Sequence, residues 1–219
     1  IGFTHDGGFQ QYMCVPPAAV RTGCVSKIPD GVTMDEAALA EPVAFCISAQ
    51  ELSNMSVGRS VVVVGADAVG CMHALVARAS GGTQTFLADA DGERLGLAGK
   101  ICGDARLVDT SREDLLEVVM RRTGDRGAEV VIINSADAAT IESAQRLVAK
   151  RGVINLFGGL PTSGAKLSLD AGLLRQREFF IVGNHGAAPR HYVRALALMG
   201  AGNIAVGELI THRFSLEEV

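Results

Sequence analysis

The chain has 219 residues, of which 48% are hydrophobic and 20% are charged, a composition typical of a globular protein that excludes intrinsic disorder. A formal net charge of -4 and a pI near 5.7 argue against a nucleic-acid-binding surface or an anionic-membrane surface. The longest apolar run is far shorter than the roughly 20 residues that a membrane-spanning helix needs. We therefore expect neither a nucleic-acid partner nor a membrane partner.

Cysteine usage indicates a reducing compartment. The five cysteines are odd in number, are scattered along the chain and form no C-x-x-C pair. This pattern favours free thiols in a cytoplasmic protein over a disulfide framework. No signal-peptide pattern opens the chain, and its first residue is Ile1 rather than Met, as expected for a processed or truncated chain.

The first 58 residues predict short β structure followed by a helix. Residues 9–15 and 25–28 are strand-like, and they resemble the edge of a domain whose remainder is missing. Thr33 then begins a helix with Glu36 completing a capping box, and the helix runs to about Leu52. Pro42 lacks a backbone donor and should kink or split this helix.

From Ser60 onward, strands alternate with helices of about ten residues. This alternation predicts right-handed βαβ units, and six strands fit a doubly wound parallel sheet with a switch point beside the first strand. The predicted strands are 61–64, 84–88, 106–108, 129–133, 153–157 and 179–182. The predicted helices between them are 69–80, 93–101, 112–123, 138–150 and 173–177. A further helix is expected at about 190–201, and residues 216–219 open another.

A glycine-bounded turn between the first strand and its helix predicts a dinucleotide site. Such a turn places backbone N–H groups and a helix N-terminus beside a pyrophosphate. The turn consists of Gly65, Ala66, Asp67, Ala68, Val69 and Gly70. Asp89 ends the second strand about 20 residues later, where an acid accepts hydrogen bonds from the adenosine ribose and repels a 2′-phosphate. The repulsion of a 2′-phosphate by Asp89 favours NAD over NADP. The alternative to a dinucleotide site is a glycine turn in some other doubly wound domain.

Asp67 departs from the dinucleotide fingerprint, which has glycine at that position. A carboxylate about 4 Å from a phosphate charge costs roughly 4 kcal/mol at an effective dielectric near 20. That energy corresponds to about a thousandfold in affinity. We therefore expect NAD to bind weakly unless Asp67 is replaced by Gly.

Other chemistry has little support in the sequence. Glu41 precedes Pro42 in an apolar run and is either a metal ligand or a helix-surface glutamate. The five histidines are dispersed, and no Cys/His spacing predicts a zinc site. No Gly-x-Ser-x-Gly elbow or Gly-Lys-Ser/Thr loop supports a hydrolase or a nucleoside triphosphatase.

Seven short stretches, in order along the whole chain, resemble the medium-chain, zinc-dependent alcohol and polyol dehydrogenases of the sorbitol dehydrogenase-like branch. They are residues 5–12, 27–31, 36–42, 61–70, 157–161, 183–186 and 209–214. The resemblance implies hydride transfer between NAD and a secondary alcohol or polyol at a catalytic zinc. It also implies remnants of a GroES-like β catalytic domain at residues 1–40, a Rossmann domain at 41–186 and a C-terminal return at 187–219.

The same resemblance implies a role for each matching residue. Glu41 matches the glutamate at the catalytic zinc, and Arg94 matches a basic position near the adenosine. The positions that match the nicotinamide side of the site are Phe157, Gly158, Gly159, Gly183 and Asn184. Relatives pair through the edge of the coenzyme-domain sheet, so a homodimer or homotetramer is expected.

Two departures from the family pattern define the alternatives. The other zinc ligands of the family are expected upstream of residue 1, so this chain alone should be inactive, and Asp67 weakens the nucleotide site. The alternative function is a cofactor-poor fragment or pseudoenzyme with a binding or assembly role. A quinone reductase relative is disfavoured by Glu41 with Pro42 and by the Gly-Asn-His-Gly stretch at 183–186.

Overall fold

The computed structural model describes residues 5–134, 138–158 and 166–218. Six parallel strands form one sheet in the order β3-β2-β1-β4-β5-β6, so the switch point lies between β1 and β4. The strands are β1 (Ser60–Val64), β2 (Gln84–Asp89), β3 (Arg106–Asp109), β4 (Ala128–Ile133), β5 (Val148–Leu156) and β6 (Phe180–Gly183). The predicted doubly wound six-stranded sheet is confirmed.

Helices cover both faces of this sheet. They are α1 (Pro17–Arg21), α2 (Met34–Ala38), α3 (Ala40–Leu52), α4 (Ala68–Ala79), α5 (Gly92–Ile101), α6 (Leu115–Thr123), α7 (Ala138–Leu147), α8 (Ala171–Arg177) and α9 (Pro189–Gly200). Single 3₁₀ turns follow at Gly207–Leu209 and Leu216–Glu218. Within the described ranges, no helix is long and apolar enough to cross a membrane.

Alternate residues of β1 supply two separate cores. Val61 and Val63 pack against α3, α4, α5 and α9 on one face, while Val62 packs against α6 and α7 on the other. A strand places successive side chains on opposite faces, and both faces of a parallel sheet are covered, so the run of four valines is buried almost throughout. Leu196 of α9 belongs to the first core, so the last long helix packs with the nucleotide-binding fold.

The predicted N-terminal strands at 9–15 and 25–28 are wrong. No strand forms among residues 5–59, and residues 17–21 are instead a helix with proline in its first turn. An isolated strand leaves its backbone N–H and C=O groups without partners, so the β propensity of these residues has no effect without a neighbouring strand. Phe9 and Tyr12 are therefore 85% and 88% exposed.

Two further boundaries differ from the sequence pattern. The helix expected over 138–150 ends at Leu147, because Val148 already pairs with Ala128 of β4. The register then shifts, with Arg151 in the left-handed region at φ 58, before regular pairing resumes at Val153. The helix begun by Thr33 is split as predicted, and its second part, α3, begins two residues before Pro42.

Candidate functional site

The glycine-bounded loop lies at the switch point, where β1 ends and α4 begins. Gly65 has φ +110 and donates its N–H to the Ala88 carbonyl at 2.8 Å. A Cβ atom on Gly70 would lie 1.8 Å from the Gly65 carbonyl oxygen. The two ends of the loop therefore pack directly against each other, and only glycine fits at Gly70.

Asp67 caps α4 with its own carboxylate. Its backbone is extended, and its Oδ1 accepts hydrogen bonds from the Gly70 N–H at 2.9 Å and from the Asn134 Nδ2 at 2.7 Å. The residue is exposed, so the carboxylate lies in the mouth of the cleft. The fingerprint position thus carries a fixed negative charge that holds one of the N-terminal donors of α4.

Asp89 lies at the carboxyl end of β2 and faces this loop. Its Oδ2 accepts the Ala66 N–H at 2.8 Å, and its Oδ1 accepts the Asp91 N–H at 3.0 Å. Burial raises the pKa of Asp89, but these backbone hydrogen bonds and the charge of Arg94, 3.6 Å away, together lower the pKa below its ordinary value. Asp89 is therefore a fixed, ionised acceptor whose side chain is 11% exposed toward the cleft.

A cavity of about 400 Å³ joins these residues. Its lining residues are Val64, Gly65, Asp67, Ala88, Asp89, Ala90, Arg94, Thr110, Asn134 and Thr140. A larger cavity of about 470 Å³ lies between α3, α4 and α9 and includes none of the predicted site residues. The smaller cavity lies at the carboxyl ends of the strands, where doubly wound sheets bind nucleotides, so it is the better candidate site.

The residues predicted for the nicotinamide side lie at the ends of β5 and β6. The backbone N–H groups of Phe157 and Gly158 both donate to the Ile133 carbonyl, at 3.1 and 2.8 Å. Gly183 ends β6, and Asn184 follows it with its Oδ1 accepting the Ser48 hydroxyl of α3 at 3.3 Å. Gly159 lies outside the described residues.

A buried histidine that sequence reasoning left without a role packs against this side of the site. His73 of α4 is fully buried, and its ring meets the Phe157 ring edge-to-face with centroids 4.4 Å apart. Burial lowers the pKa of His73 to about 3, so its imidazole is neutral in the folded protein at neutral pH. His73 is therefore a structural support of the Phe157 loop.

Glu41 is exposed in the first turn of α3. It lies close enough to the buried Cys46 that, after burial and the charge of Asp67, its own charge also raises the pKa of that thiol. No group of three His, Cys, Asp or Glu residues that could hold a metal forms in the part of the chain that the structure describes. One exposed carboxylate does not fit a zinc ion, so the described residues do not form a zinc site by themselves.

Sequence reasoning missed two polar contacts that shape the cleft. Asn134 directly follows β4 and binds Asp67 across the switch point, and Ser48 of α3 holds Asn184. A polar residue immediately after a buried parallel strand was the available signal for Asn134, since strand ends meet at the ligand edge. Nothing in the sequence around Ser48 indicates its contact, because 136 residues separate the two partners.

Comparison with known proteins identifies the family. The model of a family described as zinc-binding dehydrogenase matches residues 68–201, which is more than half of the chain. The chain belongs to the zinc-binding dehydrogenase family. This assignment agrees with the resemblance seen in the seven sequence stretches.

Similar proteins in the same family are considerably longer. Sorbitol dehydrogenase of Bombyx mori is 32% identical over 88% of this chain and 55% of its own length. Sorbitol dehydrogenase of Bacillus subtilis strain 168 is 28% identical over 97% of this chain and 58% of its own length. A protein of Sinorhizobium meliloti 1021, described as a zinc-binding dehydrogenase and crystallised bound to NADP, is 28% identical with a TM-score of 0.82, covering 94% of this chain and 58% of its own. The chain thus spans a little over half the length of these relatives.

Proposed function

We propose that this chain is the coenzyme-binding part of an oxidoreductase that transfers hydride between a secondary alcohol or polyol and NAD. The observation that carries this proposal is the ionised Asp89 at the end of β2, fixed by the Ala66 N–H beside a 400 Å³ cavity at the switch point. An acid in that position accepts hydrogen bonds from the ribose hydroxyls of a dinucleotide. Family membership favours this enzyme over the cofactor-poor binding role.

The coenzyme is NAD rather than NADP. The Asp89 carboxylate is already ionised, so it repels a ribose 2′-phosphate at short range. Arg94 ion-pairs with Asp89 and Asp91, both at 3.6 Å, so its charge is largely offset by these two carboxylates. The Sinorhizobium protein was crystallised with NADP, so the choice of coenzyme differs within the family on this proposal.

Phe157 and Gly158 would lie beside the nicotinamide ring of the bound coenzyme, and Gly183 and Asn184 would hold its carboxamide. Both N–H groups of the first pair are already bound to Ile133, which fixes the loop backbone. Ser48 similarly fixes the Asn184 side chain. A ring held between two fixed segments presents one face to the substrate, as positioning for hydride transfer requires. Gly159, next to Gly158 in the sequence, is assigned to the same loop.

Zinc is assigned to the intact protein through Glu41 together with ligands from outside this chain. Bound zinc would act as a Lewis acid on the substrate hydroxyl. Because Glu41 is exposed, it is accessible to a neighbouring domain. Residues 41–186 are assigned to the coenzyme domain, residues 1–40 to that substrate domain, and residues 187–219 to the segment that returns to it after α9 has packed on the coenzyme domain. The substrates proposed are sorbitol-like polyols or simple secondary alcohols, and the free cysteines suit a cytoplasmic location.

The test uses the intact protein that contains this chain. Zinc content and NAD reduction are measured with sorbitol, threonine and simple secondary alcohols, for the wild type and for Glu41→Gln. We expect zinc-dependent activity that falls about 10- to 100-fold in Glu41→Gln, as is typical of groups that support a metal site. Glu117→Gln, on the exposed surface of α6, is the matched control and should retain activity. A zinc-loaded protein that reduces NAD with none of these alcohols would contradict the proposal.

A further inference from the structure

Asp67 occupies the place in the loop where a dinucleotide needs an uncharged backbone. Its carboxylate is fixed by the Gly70 N–H and by the Asn134 amide, at 2.9 and 2.7 Å. A 5′-phosphate entering the cleft would meet a negative charge and would find the Gly70 N–H and one of the two Asn134 amide N–H groups already taken. The repulsion and the loss of donors both weaken binding of the phosphate. They do not affect the adenosine, whose expected partner is Asp89.

The loop has little freedom to move the carboxylate away. Gly70 packs so closely on the Gly65 carbonyl that its missing Cβ would clash at 1.8 Å. Gly65 is itself held by its N–H bond to Ala88. Rotating the Asp67 side chain outward would break both of its hydrogen bonds and leave the Gly70 N–H without its cap.

The surroundings of Asp67 reinforce its negative field. Burial raises the pKa of the Cys46 thiol, and the charges of Asp67 and Glu41 raise it further, because both carboxylates lie near this residue of α3. Arg94, the cation that lines the cavity, is paired with Asp89 and Asp91 on the adenosine side. Among the described cavity-lining residues, no cation pairs with Asp67 in the contacts resolved.

The adenosine side of the cleft is intact. Asp89 keeps its fixed carboxylate at the ribose position, and the cavity continues past Ala90 to Thr110 at the end of β3. A ribose diol offers two O–H donors to an ionised carboxylate, and this contact is independent of what C5′ carries. The cleft therefore combines a candidate nucleoside site, at Asp89, with a loop whose Asp67 carboxylate repels anions.

We propose that Asp67 makes this cleft discriminate against 5′-phosphates, so that NAD binds the chain weakly and adenine nucleosides whose C5′ group is neutral or cationic bind more tightly. The inference rests on the proposed function, because it takes the Asp89 cavity as the adenosine subsite. It goes further by naming a ligand class that the dinucleotide fingerprint does not predict. The Asp67 carboxylate would attract a cationic 5′ group, whereas it repels a phosphate.

Calorimetric titration with four probes tests this order of affinity. The probes are adenosine, 5′-amino-5′-deoxyadenosine, AMP and ADP, titrated into the wild-type chain at about 0.05 M salt, where charge effects are weakly screened. We expect the amino nucleoside to bind at least as tightly as adenosine and ADP to bind at least about tenfold more weakly. ADP that binds wild type as tightly as adenosine does would overturn the inference.

Variants assign the discrimination to one side chain. Asp67→Gly removes the charge and frees the Gly70 N–H, so ADP should bind at least about tenfold more tightly than adenosine. Asp67→Asn keeps the cap without the charge and should fall between the two. Asp170→Gly removes the aspartate cap of α8, which accepts the Leu173 N–H, and should leave the wild-type order unchanged. An unchanged order in Asp67→Gly would also overturn the inference.

Asp89→Asn separates this inference from the proposed function. If the cavity is the adenosine subsite, this variant weakens all four probes by a similar factor. If no probe binds any folded variant, including Asp67→Gly, both the proposed coenzyme site and this inference fail. If the probes bind and depend on Asp89 but the wild type prefers ADP, only the inference about Asp67 fails.

Discussion

Gly70 lies where the first turn of α4 crosses the Gly65 carbonyl, and this contact makes a sharp prediction about stability. A methyl group there would lie 1.8 Å from backbone oxygen, so Gly70→Ala should destabilise the fold by about 1–3 kcal/mol, as overpacking does. Gly96→Ala in α5 is the control, because its Cβ meets nothing within 4 Å. It should stabilise by about 0.5–1 kcal/mol through helix propensity. Urea unfolding of both variants checks the opposite signs.

His73 makes the stability of the protein depend on acid. Burial lowers its folded-state pKa from 6.5 to about 3, so below pH 6.5 the unfolded chain binds a proton that the folded chain excludes. The free energy of unfolding should therefore fall by about 1.4 kcal/mol per pH unit between pH 6.5 and 3 on account of this residue. Between pH 6.5 and 5 that is about 2 kcal/mol.

Removing the imidazole should remove this slope. Unfolding of the wild type and of His73→Gln is measured at pH 7, 6 and 5, and the variant should lose about 2 kcal/mol less on acidification. The pKa of His191 is also lowered, by burial and by Arg190, but His191 is present in both proteins and its effect cancels. His212→Gln, at an exposed position, is the control. Equal slopes in wild type and His73→Gln would refute the role of His73.

At the residue scale, the sequence predicted which residues lie at the cleft but missed the hydrogen-bond partners that hold them there. Asp89 and Gly70 could be assigned because their chemistry depends on local spacing after a strand. The charge of Asp67 was apparent, but its bond to Asn134 was not, since that bond crosses the switch point between β1 and β4. The sequence therefore predicted repulsion of a phosphate, and the structure adds that the Gly70 N–H and one Asn134 N–H are already occupied.

Helix α2 leads the chain into the helix that carries Glu41, and its capping box gives a prediction at the scale of elements. The Thr33 hydroxyl oxygen accepts the Glu36 N–H at 3.2 Å, and the Thr33 N–H donates to Glu36 Oε2 at 2.9 Å. Thr33→Ala should lower the free energy of unfolding by about 1 kcal/mol. Glu36→Gln preserves both partners of the box and should change stability less at pH 7. Denaturant midpoints of the two variants compare them, and equal losses would contradict this account.

The sequence located the helices and strands whose hydrophobic pattern is local. It did not locate the boundaries that depend on pairing with a neighbouring strand. The apolar runs of β1 and β4 are buried on both faces, and their strands could be located within one residue. The start of β5 could not, because Val148 and Ala149 continue the apolar pattern of α7 until pairing with β4 takes over. Residues 9–15 show the converse, since their β propensity has no partner strand and no strand forms.

At the scale of the whole molecule, β6 is one of the two edges of the sheet and is the edge we expect to take part in assembly. It ends the strand order beside β5, and Phe180 is 59% exposed on it. An apolar edge strand invites pairing with a second copy, and a two-fold axis beside β6 would continue the sheet from one subunit into the next. We therefore expect the chain to form a dimer, which then either persists or pairs into a tetramer.

A charge at this edge should prevent the assembly without unfolding the subunit. Phe180→Glu places a carboxylate on the edge strand that would meet the second copy, so each subunit would bring a like charge to the interface and oppose pairing. Val193→Glu on α9, where the wild-type side chain is 54% exposed, is the matched control and should retain the wild-type mass. Light scattering across a concentration series measures both variants. A wild-type chain that stays monomeric at the highest concentration would contradict the predicted dimer. A Phe180→Glu variant with unchanged mass would show that the interface does not include β6.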